Sequence, residues 1–266
     1  MRRVVASWNV NSVKAHLEVV RDWLARVRPD VLLLQELKCP EEAFPHEAFA
    51  ELGYHAAVRG QRGFNGVAIL AVEPVEVLYR DLPGDATDRQ ARYIEGRTCG
   101  LRVASVYAPN GNPPESDRFA YKLAWLARMR AHATALLEGD EPLVLGGDWN
   151  VIPEEVDCHD PEAWAEDALF RPESRAAFRA LLHLGLYDAF RVRHPEDRAY
   201  TFWDYQGRAF QLDHGIRIDH LLLGPLAVDR LEEAWIDREP RGRRNTSDHT
   251  PVLARLDVPG RWEWEP

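Results

Sequence analysis

The sequence predicts an α/β protein with mixed β-sheets, built as one large domain. Short strand-like apolar runs alternate with segments of helical periodicity, and several strands follow one another in the middle of the chain. With 266 residues, 45% of them hydrophobic, the chain is long enough to bury a large core. Polar residues of catalytic type come from both halves and would have to meet, so we predict a single domain over residues 1–266.

The individual elements follow from the spacing of apolar residues. Apolar runs predict strands at residues 4–7, 31–34, 67–72, 101–107, 143–145, 216–223 and 252–256. Leucines and valines three or four residues apart predict a helix that begins at Leu17 and ends before Pro29. Helical patterns also span residues 119–137 and 174–184.

Charge and hydropathy argue against two classes of protein. The net charge of −10 argues against a protein that coats nucleic acid by bulk attraction, although nucleic acid stays possible as a substrate because local charge matters more. No apolar stretch of the sequence approaches the roughly 20 residues of a membrane span, so we expect no membrane partner. The first residues fit a strand better than a signal peptide, and three cysteines without metal-type spacing suit a reducing compartment. We therefore expect a cytoplasmic protein.

Two short basic segments are candidate contacts for a phosphate backbone. Residues 238–244 carry four arginines, among them Arg243. Residues 59–63 contain Arg59 and Arg62 beside glycines that let a ligand approach the backbone. Each segment taken alone is explained equally well as a solvated loop.

Polar residues stand at the ends of four predicted strands. These residues are Asn9, Glu36, Tyr107, Asp148 and Asn150. Open α/β sheets present their chemistry where strands end, so these scattered side chains could converge on one cleft. Carboxylate and amide oxygens suit a hard metal ion, which in turn suits a phosphate ester. The pattern predicts a metal-dependent phosphodiesterase.

Three further candidates lie near the C-terminus. Asp248 and His249 are adjacent, and adjacent side chains on an extended chain point in different directions. We assign Asp248 to a metal ion or water and His249 to the phosphate. Asp219 could orient His249 and stabilise its protonated form. Asp148 could act as a base toward water, while the amide of Asn150 donates to a phosphate oxygen.

Each candidate also has a structural interpretation. The segment 146–150 could be an Asx-type turn, and His249 could be an ordinary hydrogen-bonded histidine. Lys38 could simply pair with Glu36. An aromatic residue at a strand end, such as Tyr107, is typical of a core. The chemistry therefore rests on the set of residues and not on any one of them.

Six ordered segments make this set specific. They read SWNVN at 7–11, QELK at 35–38, VYAPNG at 106–111, GDWNV at 147–151, RID at 217–219 and SDH at 247–249. In this order they resemble the endonuclease/exonuclease/phosphatase superfamily, and within it bacterial exodeoxyribonuclease III and the related abasic-site endonucleases. The resemblance covers nearly the whole chain, including YTFWDY at 200–205.

The resemblance implies a fold and a metal site. The fold is a four-layered, DNase I-like sandwich of two packed mixed β-sheets flanked by helices. The metal is Mg2+, or Mn2+ in its place, held chiefly by Glu36. The other predicted members of the metal group are Asn9, Asn11, Asp148, Asn150, Asp248 and His249.

Catalytic roles also follow from the resemblance. Asp148 would be the proton donor and acceptor for the attacking water, and Asn150 would stabilise the transition state. Asp219 would support His249, in agreement with the chemistry of the residues themselves. Tyr107 would touch the phosphate, a role that depends on the resemblance alone.

The resemblance further implies DNA contacts and a small apolar pocket for an abasic sugar. Phe202, Trp203, Ile216 and Ile218 match the pocket positions. Animal relatives place a tryptophan where Ile216 stands, which implies a looser pocket here. The predicted DNA-binding residues are Lys38, Arg59, Arg62, Asn110, Phe202, Trp203, Ile216, Arg243 and His249.

We therefore predict a monomeric Mg2+-dependent DNA repair nuclease of base excision repair, associated with the nucleoid through its substrate. It would cleave 5′ to abasic sites and remove nucleotides from 3′ ends of double-stranded DNA. One alternative is a phosphodiesterase or phosphatase of the same superfamily that acts on a phospholipid or an inositol phosphate. Another is a catalytically silent DNA-binding relative.

Overall fold

Two six-stranded mixed β-sheets form the centre of the protein in a computed structural model that describes residues 1–258. The strands are β1 (Arg2–Asn9), β2 (Val31–Gln35), β3 (His55–Arg59), β4 (Val67–Ala71), β5 (Glu76–Tyr79), β6 (Tyr93–Thr98), β7 (Leu101–Tyr107), β8 (Leu143–Asp148), β9 (Tyr187–Asp188), β10 (Asp219–Leu223), β11 (Leu231–Ile236) and β12 (Val252–Asp257). The helices are α1 (Leu17–Val27), α2 (His46–Ala50), α3 (Asp117–Leu136), α4 (Pro161–Trp164), α5 (Pro172–Leu182), α6 (Ala189–Arg193), α7 (Ala209–Leu212) and α8 (Pro225–Val228). The last eight positions of the predicted domain, 259–266, lie outside the described residues.

The two sheets share a pattern at their centres. Sheet one has the order β11-β12-β1-β2-β4-β3, and sheet two has the order β5-β6-β7-β8-β10-β9. In each sheet the one parallel pair among the described strands is central: β1 with β2, joined through α1, and β7 with β8, joined through α3. The carboxyl ends of these four strands reach the same edge of the molecule, where polar side chains follow them.

Alternation along the strands sends side chains to opposite faces of each sheet. In β2, Val31 and Leu33 join the cluster between the two sheets, whereas Leu32 and Leu34 join the cluster under α1. Both faces are covered, so β2 reads as a continuous apolar run, as expected for a buried parallel strand.

Helices cover the outer face of each sheet. α1 packs Trp23 and Leu24 against sheet one, and α3 and α5 pack Trp125 and Phe178 against sheet two. Each large apolar side chain that is fully buried in this way contributes about 1.5–3 kcal/mol. The predicted four-layered α/β sandwich is confirmed. Within residues 1–258, no helix is long and apolar enough to cross a membrane.

Most predicted elements are confirmed, with shifted ends. β7 has the predicted bounds, while the strand predicted at 143–145 continues to Asp148 because Gly146 and Gly147 pair in register with β10. The strand predicted at 216–223 begins only at Asp219, since Ile216 instead forms isolated bridges to neighbouring loops.

Five strands, β3, β5, β6, β9 and β11, are not predicted by the apolar pattern. β6 shows why: its sequence YIEGRT contains two charged residues and a glycine. Glu95 of β6 is nevertheless fully buried, because the Tyr93 hydroxyl (2.6 Å) and Arg102 (2.8 Å) donate to it and the His132 imidazole lies 2.7 Å away. Tertiary pairing of this kind cannot be read from strand periodicity.

A buried ionic cluster holds the segment that leads into β10. The guanidinium of Arg217 is fully buried and donates to Asp157 (2.7 Å) and to Asp188 (2.7 Å). Burial alone would raise the pKa values of both carboxyls. The charge and hydrogen bonds of Arg217, together with Arg191 at Asp157 and His220 at Asp188, outweigh burial and lower them. Both carboxylates are therefore ionised at neutral pH and fix the residues immediately before Asp219.

We expect Asp188→Asn to lower the free energy of unfolding by about 3–5 kcal/mol at about pH 7, because it leaves the buried Arg217 charge half-paired. A carboxyl with a lowered folded pKa stabilises the protein above its unfolded pKa of about 3.9 and loses that contribution as the pH falls through the folded pKa. The difference in unfolding free energy between the wild type and the variant should therefore be smaller at about pH 3. Denaturant unfolding at both pH values measures this. The exposed Asp197→Asn is the control, and an equal deficit at both pH values would contradict the account.

Candidate active site

A cleft of about 240 Å3 opens where β1, β2, β7 and β8 end. Its lining consists of Glu36, Tyr107, Asn110, Asn112, Asp148, Asn150, Trp164, Asp167, Leu169, Phe202, Ile218, Asp248 and His249. A larger cavity, about 430 Å3, lies at the opposite ends of β7 and β8. There the arginines are already paired with glutamates, as in the Arg102–Glu141 pair (3.2 Å), so the smaller cleft carries the available chemistry.

Asn9 joins carboxylates that belong to different sheets. It ends β1 and is fully buried, and its side-chain NH2 donates to Glu36 Oε1 (2.9 Å) and to Asp148 Oδ2 (2.9 Å). Its side-chain oxygen accepts the backbone N–H of Asn11 (3.0 Å). Glu36 follows β2 with a φ of +52°, a left-handed conformation that sets its carboxylate at the cleft instead of continuing the strand.

Glu36 is held as an anion by three donors. Besides Asn9, the hydroxyl of Tyr107 donates to Oε1 (2.9 Å) and the ammonium of Lys38 lies 2.8 Å from Oε2. Burial would raise the pKa of Glu36, but the hydrogen bonds from Asn9 and Lys38 outweigh burial and lower it. Burial next to Glu36 raises the pKa of Tyr107 well above its usual value, so its hydroxyl stays a donor.

Asp148 and Asn150 are placed by the turn that follows β8. A Cβ on Gly147 would lie 1.8 Å from the carbonyl oxygen of Val106, so only glycine lets β8 pass β7 this closely. The backbone N–H of Asn150 donates to Asp148 Oδ1 (2.9 Å), and its side-chain NH2 donates to the carbonyl of Ala108 (2.9 Å). This Asx-type turn is part of the site and not an alternative to it.

An ion pair between Asp219 and His249 crosses from sheet two to the residues before β12. Nδ1 of His249 donates to Asp219 Oδ2 (2.8 Å), and its Nε2 lies 3.9 Å from Asp148 Oδ2. Burial would lower the pKa of His249, but the charge and hydrogen bond of Asp219, together with the charges of Asp148 and Asp248, outweigh it and raise the pKa to about 10. The imidazole is therefore a cation at neutral pH.

Asp148 differs from the other carboxylates of the site. Burial raises its pKa to about 7, and Asp219 adds to the increase, while the positive charge of His249 opposes it. A carboxyl group that titrates near neutral pH can both accept and return a proton during a reaction.

The oxygen donors of the cleft suit a hard divalent cation. Asp148, Asp219 and His249 bring ligand-type atoms within 4.8 Å of one another, and Oδ1 of Asp219 is buried without a hydrogen-bond partner among the described residues. Because His249 is protonated through Asp219, carboxylate and amide oxygens are the better ligands here.

A second donor group lies around Glu36 and Asp248. The amide of Asn11 donates to Asp248 Oδ1 (3.0 Å), and the ammonium of Lys38 is hydrogen-bonded to the side-chain oxygen of Asn11. Lys38 already neutralises Glu36, so a cation bound there would compete with this lysine. Lys38 thus lies inside the predicted metal group, although it was predicted as a DNA contact.

The predicted sugar pocket is only partly assembled. Phe202 and Ile218 line the cleft, with Phe202 packed edge-on against the ring of His249. Trp203 is fully buried and its indole N–H donates to Asp213 (3.2 Å), away from the cleft. Ile216 is also buried and does not line the cleft, because it packs behind Ile218, Leu169 and Phe202 in one apolar cluster. Neither of these two can contact DNA in this conformation.

The predicted basic contacts have different surroundings. Arg59 pairs with Asp81 (3.0 Å) and Arg243 with Asp22 (2.8 Å), while Arg62 is exposed. Asn110 stands at the rim and donates to the side-chain oxygen of Asn150 (3.2 Å). Ion pairs such as those of Arg59 and Arg243 would have to exchange with a phosphate for these residues to bind DNA.

Sequence reasoning missed one wall of the cleft. Trp164 ends α4, and Asp167 and Leu169 lie in the segment between α4 and α5. Asn112 donates to both carboxylate oxygens of Asp167 (3.1 Å each). The second asparagine of the segment Asn110-Gly111-Asn112 is the one sequence signal for this contact. Trp164 has no such signal, since its position depends on how the segment folds back.

The sequence matches the model of the Endonuclease/Exonuclease/phosphatase family over residues 6–249. The chain belongs to this family. Exodeoxyribonuclease III of Haemophilus influenzae is 31% identical over 262 residues, which cover 94% of this chain and 98% of that protein.

Solved structures extend the family comparison to the fold. An AP endonuclease from Archaeoglobus fulgidus has a TM-score of 0.93 at 35% identity and covers 96% of this chain and 100% of its own. The 3′ phosphatase NExo from Neisseria, bound to a product DNA hairpin, has a TM-score of 0.93 at 38% identity, with 98% and 100% coverage. The two packed sheets are thus those of this family.

We expect NMR of the metal-free protein to show a protonated His249 ring well above the usual imidazole pKa of about 6.5, because the pKa of His249 is raised to about 10. Asp219→Asn removes the charge that raises this pKa and leaves burial, which lowers it, so the ring should become neutral at about pH 7. The distant, exposed Asp140→Asn should change nothing. An unaltered titration of His249 in Asp219→Asn would contradict the assignment.

Proposed function

We propose that the protein is a metal-dependent DNA repair nuclease that hydrolyses phosphodiester bonds by attack of water. The observation that carries the proposal is the pairing of a carboxyl group titrating near pH 7, Asp148, with the cationic His249 at 3.9 Å in a cleft lined by amides. A base and a cation this close can serve the two ends of one reaction, the water and the phosphate.

Each residue of the site has a separate proposed role in the reaction. Asp148 accepts a proton from the attacking water while the water oxygen bonds to phosphorus and the bond to the 3′ oxygen breaks. His249 and the amide of Asn150 stabilise the negative charge that grows on the phosphate oxygens. Asp219 keeps His249 protonated through the 2.8 Å ion pair. The hydroxyl of Tyr107, which donates to Glu36, is proposed to contact the phosphate.

A divalent cation is proposed for the oxygen donors at Glu36, with Asn9, Asn11 and Asp248 beside it. When bound, it supplies positive charge that offsets charge on the phosphate. Mg2+ is the proposed ion because carboxylate and amide oxygens favour hard cations, and Mn2+ is the natural substitute.

The proposed substrate is double-stranded DNA with abasic sites or 3′ ends. Relatives across the full length are an exodeoxyribonuclease, an AP endonuclease and a 3′ phosphatase bound to a DNA hairpin. The apolar wall of Phe202, Ile218 and Leu169 beside His249 suits a sugar without its base. We further propose that residues 1–266 act as one domain and as a monomer, in the cytoplasm at the nucleoid.

Two alternatives give different results in one experiment. The substrates are a duplex with one abasic site, a duplex with a recessed 3′ end, and a phospholipid or inositol phosphodiester, each with and without chelator. We expect chelator-sensitive cleavage of DNA that returns with Mg2+ or Mn2+. Cleavage of the lipid or inositol substrate alone would favour a phosphodiesterase for another substrate, and binding of DNA without any cleavage would favour a silent relative.

We expect Asp148→Asn to lower kcat by at least about 100-fold, because the amide cannot accept the proton of the water. DNA binding should survive, since the substitution removes a negative charge from the cleft and no phosphate contact. Single-turnover cleavage and a binding titration in the presence of Ca2+ measure the two effects separately. Asp140→Asn, at the far end of the sandwich, is the matched control, and near-normal turnover by Asp148→Asn would overturn the mechanism.

A further inference from the structure

Lys122 is a buried lysine that the reaction described above does not use. It lies in the second turn of α3 and is fully buried. Its ammonium donates to three backbone carbonyls, those of Asn110 (3.0 Å), Asn150 (2.5 Å) and Ala168 (3.2 Å). Within residues 1–258 it forms no ion pair with a carboxylate.

The three carbonyls belong to three separate segments of the cleft wall. Asn110 lies after β7, Asn150 lies after β8, and Ala168 lies between α4 and α5. Two of these residues line the cleft themselves, and Ala168 is flanked by Asp167 and Leu169, which also line it. One ammonium group thus ties together the ends of two strands and the acidic segment that completes the wall.

Packing alone does not explain a lysine at this position. Burying an ammonium group is much less favourable than burying an apolar side chain of similar length, unless its donors are all used. Burial lowers the pKa of Lys122 to about 7. In the protonated form all three N–H groups have acceptors, and hydrogen bonds from a charged donor are about twice as strong as neutral ones. The Lys122 side chain is also closely packed, since a Cβ on Gly111 would lie 2.7 Å from its Cδ.

We propose that Lys122 is a positioning residue for hydrolysis: it holds the backbones of Asn110, Asn150 and Ala168 at their distances from the reacting phosphate. It acts through these residues and does not touch the substrate. Loss of Lys122 should affect Asn150 most directly, because the side chain of Asn150 is proposed to stabilise the transition state and its backbone carbonyl is the shortest contact of Lys122. The proposal rests on the proposed nuclease function for its kinetic consequences only.

The kinetic test compares Lys122→Met and Lys122→Arg with the wild type in DNA cleavage. Methionine is unbranched and one atom shorter than lysine, and it removes all three donors, so we expect kcat to fall about 10- to 100-fold while KM changes less than about 3-fold. Arginine keeps the charge and several donors, and because it is larger than lysine in a closely packed site, we expect it to restore only part of kcat. Met129→Ala, a buried change on the same helix outside the cleft, controls for loss of stability.

A measurement without substrate separates this proposal from the proposed function. We expect hydrogen exchange at residues 108–112, 149–152 and 165–170 to be faster in Lys122→Met by at least about 10-fold, and unchanged in Met129→Ala. If the wild type cleaves no DNA, the nuclease proposal fails but the exchange result still tests Lys122. Unchanged exchange in all three segments, or an equal loss of kcat in Met129→Ala, would overturn the positioning role. If Lys122→Met does not fold, Lys122→Gln, with fewer donors, must show the same three-segment pattern.

Discussion

The side-chain amide of Asn9 is the contact on which the site depends. It is fully buried, and its two N–H groups each bind a carboxylate, Glu36 next to sheet one and Asp148 in sheet two. Two carboxylates at such separations repel each other, and a shared amide donor between them reduces that cost. The distances in the cleft are therefore set by how the two sheets pack, so the large apolar core is part of the catalytic geometry.

The ionisable groups around this amide differ in protonation because their surroundings differ. Lys38 and Asn9 keep Glu36 ionised, whereas burial near Asp219 lifts the pKa of Asp148 to about 7. Asp219 in turn keeps His249 cationic. Carboxylates with different proton affinities in one cleft permit different roles, one for a metal ion and one for proton transfer. This division agrees with membership of the Endonuclease/Exonuclease/phosphatase family.

Much of this site is readable in the sequence, because strand ends and ordered motifs are local signals. Asn9, Glu36, Tyr107 and Asp148 each stand at the end of an apolar run, and the ends of these runs come together at one edge of the two packed sheets. The rest depends on contacts between distant segments. Packing determines which way the side chains of Trp203 and Ile216 point, and the loop backbones determine the contact of Lys122 with three carbonyls. Neither produces a periodic pattern in the sequence.

The central claim is that water attacks a DNA phosphorus atom in this cleft and that the 3′ oxygen leaves. Single-turnover cleavage of an abasic-site duplex in water enriched with oxygen-18 tests it most directly, followed by mass spectrometry of both fragments. The account predicts one labelled oxygen in the terminal 5′ phosphate, none in the 3′ hydroxyl, and no labelled product with chelator or with Asp148→Asn. Label in the 3′ hydroxyl, or labelled 5′ phosphate formed in the presence of chelator, would contradict it.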